Sequence, residues 1–382
     1  MRRVLSGLLV LMMFLTLGAL AEDEEISFLD LTGGGQSQSN TPDPAASQDP
    51  SSSQPTPTIV PSADGSILLT MSFTGDVTIG GDVRKSGKSI FDKELDKQKG
   101  DLTFPFRNVK DIFAQDDMTL VNFEGTLTTA PINPDKRENS FLFSAPPEYV
   151  QILNSGNIEA VSLENNHVYD HGSAGYTETQ QTLKNAGIVY SGGGELGVYE
   201  AQGVQVAMLS YQTFDQYPTL FEQVPKDVAA AKAQYPIVIV SFHWGVEVDY
   251  KPNDKQQKLG KMTIDAGADL VVGHHSHRIN PIEIYKGKYI CYSLGNFSFA
   301  GNTKPSDMST YIFQTRFRIL NGVATPEGFR IIPCRISSRT DYNDFAPTPY
   351  ENGNSIQSLL SVLKDNGKSL ENPVPSYPLE WE

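Results

Sequence analysis

The sequence predicts an α/β fold in which two mixed sheets pack face to face with helices outside, an αββα arrangement. From residue 66 onward, short apolar runs alternate with amphipathic stretches, the pattern of strands joined through helices. Residues 288–336 then carry strands with no helix between them, which marks an antiparallel, hairpin-rich portion. The 382 residues are 39% hydrophobic and 20% charged, a globular composition on a chain long enough to bury a substantial core.

The elements follow in order. Residues 1–21 have the layout of a secretion signal: Arg2 and Arg3, an apolar run over 4–17, and small residues at Ala19 and Ala21. The run is shorter than the roughly 18 residues of a membrane span, and an uncleaved anchor is the alternative to export. Residues 22–65 form a low-complexity linker, rich in Gly, Ser, Gln, Thr, Asp and Pro from 33 on, with too little apolar content to offset the entropy of ordering it. The domain proper is expected over 66–345. Its strands are predicted at 67–73, 118–123, 158–163, 204–211, 237–242, 270–272, 288–293, 309–319 and 328–336. Helices are predicted at 108–115, 146–155, 177–186 (with Ser173 as cap ahead of it and Gly187 closing it) and 254–266. Residues 346–382 read as a Pro-rich tail with a short helix around 356–363.

Thirty Lys and Arg against 45 Asp and Glu give a formal charge of -15, and no basic run is long enough to neutralise a phosphate backbone. That excludes nucleic acid as the default partner. Cys291 and Cys334 are the only cysteines, too few for a stapled fold; a single bridge and two buried thiols both remain open.

The six histidines fall at three places: His167 and His171, then His243, then His274, His275 and His277. Each place follows a predicted strand, where α/β sheets put their ligand sites. Asp76 and Glu124 occupy the same kind of position, so five strand ends deliver Asp, Glu, Asn-His, His and His-x-His toward what could be one edge. A dinuclear metal centre needs such a set: one bridging carboxylate, with neutral imidazoles and carbonyl oxygens in the other positions. Mixed oxygen and nitrogen donors suit Mn, Fe or Zn better than Ca or Mg. On an extended segment, His275 and His277 would project to one side. Asp170, three residues after His167, could orient that ring.

Six ordered motifs then carry a resemblance. They are Phe73-Thr74-Gly75-Asp76-Val77, Asn122-Phe123-Glu124-Gly125, Asn165-Asn166-His167-Val168-Tyr169-Asp170-His171-Gly172, His243-Trp244-Gly245-Val246-Glu247, Gly273-His274-His275-Ser276-His277 and Tyr292-Ser293-Leu294-Gly295-Asn296-Phe297. Over residues 67–335 the chain resembles the CapA (PgsA) family of poly-γ-glutamate capsule synthesis, which is similar in fold to calcineurin-like metallophosphoesterases. The resemblance implies two divalent ions. Asp76 and His277 would ligate the first, Asn166, His243 and His275 the second, and Glu124 would sit where a carboxylate bridges them. It also implies that His167 stabilises charge developing on the transferring group. Asn122, Glu247, Ser293 and Asn296 become second-shell or substrate contacts, with a turn at Gly295 as the bland role for the last two.

Two departures stand out. Thr78 occupies the position where metallophosphoesterases carry His, and Glu124 replaces their bridging Asp. Both are shared with the CapA pattern, and phosphate-ester hydrolysis does not follow from the resemblance. The expected role is an exported protein in biosynthesis, transfer or attachment of an anionic envelope polymer, working with membrane-bound synthase subunits. The rivals are a secreted metal-dependent hydrolase of phosphate esters or γ-glutamyl amides, and a non-catalytic polymer-binding scaffold.

Overall fold

The structure, a computed structural model, describes residues 62, 64–84, 87–136, 141–214 and 216–381. The predicted signal and nearly all of the predicted linker lie outside the described residues. Among the described residues, no helix is long and apolar enough to cross a membrane.

Strand Ile67–Thr78 sits at the heart of the first sheet, because its odd positions Leu69, Met71 and Phe73 are apolar and buried while Thr70 and Ser72 face the other way. It runs parallel to Met118–Phe123 and antiparallel to Ser309–Leu320. Beyond them the sheet continues on one side through Ala160–Ser162 to Val189–Ser191, and on the other through Val323–Arg335 to Thr348–Pro349. In the second sheet, Val204–Gln212, Ile237–His243, Leu270–His274 and Lys288–Cys291 are parallel, with antiparallel strands Gly197–Ala201 and Ile282–Tyr285 at its edges. Both sheets are therefore mixed. A small three-stranded sheet pairs Gly81–Asp82, Phe143–Ala145 and Thr126–Leu127.

Three apolar layers define the stacking. Between the sheets, Leu69, Met71 and Phe73 meet Met208, Ile239 and Val272. Outside the first sheet, Val121 and Val161 pack with Ile152 and Leu183 of helices Val150–Ser155 and Gly172–Asn185. Outside the second, Val238 and Val240 pack with Val224 and Leu259 of helices Tyr217–Lys232 and Asp254–Asp265. The molecule is a four-layer αββα sandwich.

Several local expectations are corrected. Helix 108–115 contracts to Lys110–Phe113. Helix 177–186 begins earlier, at Gly172; His171 is its N-cap residue, without a side-chain hydrogen bond, and Ser173 does not cap it. Helices Ile90–Lys97 and Tyr217–Lys232 were not predicted. In the latter, Tyr217, Leu220, Val224, Val228 and Ala231 recur at helical spacing, but Pro225 inside the run breaks the sequence signal. Cys291 and Cys334 are both free and buried. The C-terminal helix runs Gly353–Gly367, capped by Asn352, and Leu359, Leu363 and Val374 enter the layer between the sheets. The folded body thus continues well past residue 345.

Candidate metal centre

The parallel strands of both sheets end at one edge. Two glycines let the backbones there approach closely: a Cβ on Gly75 would lie 1.9 Å from the Gly295 carbonyl oxygen, and one on Gly273 2.2 Å from that of Tyr292. The Asp76 N–H donates to the Gly295 carbonyl at 2.9 Å, fixing where the first strand releases its carboxylate.

Asp76 is fully buried. Asn122 Nδ2 donates to its Oδ1 at 2.8 Å, and His277 Nδ1 lies 3.2 Å from its Oδ2. Burial pushes the Asp76 carboxyl up, but the hydrogen bond and charge of His277 outweigh it and hold the group below the ordinary range. Glu124 is equally buried, yet neither carboxylate oxygen has a hydrogen-bond partner. His243 Nε2, His167 Nε2 and His277 Nε2 stand 3.8, 3.9 and 4.0 Å from Glu124 Oε1. Burial, then the charge of Asp76, raises the Glu124 pKa well above the ordinary value.

Those separations are too long for hydrogen bonds. They match two ligands on either side of one ion, since donors each about 2.1 Å from a metal lie roughly 3–4 Å apart. Asp76, Glu124 and His277 each place a donor atom within 4.8 Å of the others. Asn166 Oδ1 lies 2.8 Å and His275 Nδ1 3.1 Å from His243 Nε2. Asp76, Glu124 and His277 therefore offer a candidate site for a divalent ion, with Asn166, His243 and His275 beside it. Burial and neighbouring imidazoles push His243 well below the ordinary histidine value; burial and the charge of His277 push His275 to about 4. Both rings are neutral at pH 7, the state that binds metal. Burial lowers the His277 pKa, but the charges of Glu124 and Asp76 overcome it and push the ring up to about 9.

His275 and His277 reach the edge differently from the expectation. Strand Leu270–His274 has ended, and both residues have positive φ, 86° and 53°, so a tight turn rather than strand alternation aims them. Their ring centroids are 6.1 Å apart. His274 points elsewhere: its ring spans Thr74 O at 3.1 Å and Ser241 Oγ at 3.3 Å, tying the two sheets together.

His167 Nδ1 is 2.8 Å from Asp170 Oδ2, and Asp170 also accepts from the Phe143 N–H at 2.7 Å and pairs with Lys136 Nζ at 2.7 Å. Asn296 Oδ1 is 2.8 Å from His277 Nδ1 and so steadies that ring. Ser293 Oγ accepts from the Gly295 N–H at 3.2 Å, a turn contact. Glu247 is exposed at the rim, where its charge is felt by Glu124 and His277. Sequence reasoning missed Lys136 and three phenyl rings: Phe143, Phe214 and Phe299, centred 4.5, 4.6 and 4.9 Å from His167, His275 and His277. Nothing in their local sequence distinguishes them from core residues.

A sandwich whose strand ends bring two buried carboxylates, a carboxamide and four imidazoles to one edge has a candidate metal site there. A family model described as bacterial capsule synthesis protein PGA_cap matches residues 70–300, and the chain belongs to that family. It is 31% identical over 273 residues to a capsule biosynthesis protein CapA of Bacillus anthracis, covering 65% of this chain and 64% of that one. It is 32% identical over 252 residues to a PGA biosynthesis protein CapA of Bacillus subtilis, covering 61% and 63%. The matches thus span less than two thirds of these relatives. A solved structure of a calcineurin-like phosphoesterase from Bacillus subtilis is similar at 15% identity and a TM-score of 0.43, covering 79% of this chain and 99% of that one.

Proposed function

We propose that this protein acts outside the membrane on an anionic envelope polymer, poly-γ-glutamate or a close relative, in its synthesis, transfer or attachment, at a centre of two divalent ions (Mn, Fe or Zn). The observation that carries the reading is Glu124, a fully buried carboxylate with no hydrogen-bond donor. A lone buried charge is strongly unfavourable, and cations compensate it. Asp76 and His277 would hold one ion and Asn166, His243 and His275 the other. When bound, such a pair lowers the pKa of water and polarises an amide or phosphoryl oxygen.

The chain's own residues do the rest. His167, held through Nδ1 by Asp170, keeps Nε2 turned to the reacting edge, where it can give a proton to a leaving group or stabilise its charge. Lys136 fixes Asp170 and also donates to the Asn166 carbonyl at 2.6 Å, so one side chain braces both sides of the loop. The three phenyl rings narrow the access of water. Export rests on the predicted N-terminal signal, and membrane-bound synthase subunits are the partners this placement calls for.

The test is elemental analysis of the purified full chain, followed by turnover assays on poly-γ-glutamate and on phosphate esters with Mn, Zn or Fe. Two equivalents of transition metal and polymer turnover lost in His275→Ala support the reading; turnover confined to phosphate esters transfers it to a hydrolase. Thr78, standing where metallophosphoesterases carry His, favours a scaffold without metal. Absence of metal affinity on titration would establish that scaffold and overturn the centre.

A further inference from the structure

A polar cavity of about 330 Å³ opens on the outer face of the first sheet, beside helix Lys110–Phe113. Gln314, Arg316 and Arg330 line it together with Thr70 and Trp381. The strand register explains the grouping: Arg316 lies opposite Thr70, and Gln314 lies between Ser72 and Arg330. Gln314 donates to Ser72 Oγ at 2.9 Å and accepts from Arg330 Nε at 2.7 Å, so one guanidinium is held in place. The other stacks on the Trp381 indole, its Cζ 3.9 Å from the ring centroid; that of Arg330 is 5.1 Å away.

These two cations are poorly neutralised. Arg316 makes no ion pair among the described residues, and its Nε is buried without a hydrogen-bond partner. Among the described residues, the one ion pair of Arg330 is with the highly exposed Glu380, at 3.5 Å. Burial and then the charge of Arg330 press the Arg316 pKa downward, with the charge of Glu327 opposing them. In a chain of formal charge -15, a preset pair of forks on an aromatic plate is an unusual concentration of positive charge. Such forks match a planar oxyanion bidentately.

We propose that Arg316, Arg330 and Trp381 form a carboxylate pocket that docks a side group of an acidic polymer away from the metal centre. Thr70 and Asp76 are six residues apart on one strand, so the pocket lies about 20 Å from the centre. A polymer held there is presented to the centre by its neighbouring units, at a raised effective concentration. The choice of carboxylate over phosphate rests on the polymer reading above; the arginine pair itself does not.

Trp381 supplies the readout. Titrating the full chain with poly-γ-glutamate of defined length should change its fluorescence. Arg316→Gln and Arg330→Gln should each weaken binding about tenfold, with metal content unchanged and His275→Ala still binding. Two variants guard against one failing to fold, and the wild-type titration stands without either. Polymer affinity unchanged in both variants overturns the pocket and leaves the polymer reading intact. Inorganic phosphate binding at Trp381 with no polymer binding overturns the carboxylate assignment, and with it polymer docking.

Discussion

Two glutamates among the described residues are wholly buried, and their surroundings are opposite. Glu283, beneath the C-terminal segment, accepts from the Tyr292 hydroxyl at 2.6 Å and the Asn372 N–H at 3.3 Å and pairs with Lys261 at 3.1 Å. Glu124, at the strand-end edge, has carboxylate oxygens with no donor and three imidazole nitrogens just beyond hydrogen-bond reach. Burial is common to both and distinguishes nothing. What differs is whether the protein itself completes the carboxylate, and a site built for a cation is one it leaves incomplete.

The sharpest way to break this contrast is Glu124→Gln. Metal affinity should fall by at least about 100-fold in an equilibrium titration, while the metal-free variant melts no lower than metal-free wild type, because neither Glu124 oxygen has a hydrogen-bond partner to lose. Glu283→Gln should do the reverse: metal content holds, and denaturant unfolding shows a loss of about 3 kcal/mol as Lys261 loses its buried partner. Equal stability losses in the two variants would erase the distinction. Asn296→Ala, which frees His277 without touching Glu124, should cost about tenfold in metal affinity with the fold intact.

A third kind of carboxylate carries a pH dependence. At the opposite end of strand Met118–Phe123, Asp116 and Glu159 are partly supplied with donors: Thr119 Oγ1 to the first at 2.9 Å, and the Thr119 N–H to the second at 2.8 Å. Burial raises both to about 7, above their unfolded values of 3.8 and 4.5. The folded state therefore holds more protons than the unfolded state between those limits. Stability from these groups is fully present below about pH 4 and is lost as pH rises through about 7. Melts from pH 5 to 8 should fall, with a slope of at most about 1.4 kcal/mol per pH unit for each proton. Asp116→Asn should flatten that slope.

The sandwich and the edge were legible because strand ends carry their chemistry in sequence order. Asp76, Glu124, Asn166 and His243 each follow a run whose apolar pattern is plain, so their meeting at one edge needed only the sheets to form. The aim of His275 and His277 was misread, since positive φ at non-glycine residues has no sequence signature. Helix Tyr217–Lys232 was hidden by Pro225. The phenyl rim, Lys136 and the Arg316–Arg330 pair depend on contacts between distant segments, which no local pattern encodes.

The C-terminal segment has a consequence for how this chain matures. Leu359, Leu363 and Val374 complete the apolar layer between the sheets, and the Ile331 N–H donates to the Pro378 carbonyl at 2.8 Å. A ribosome makes these residues after every strand of the second sheet, so a nascent chain holds an unsealed sandwich until they emerge. Truncating the chain before residue 353 should leave that apolar layer open to solvent and to proteases.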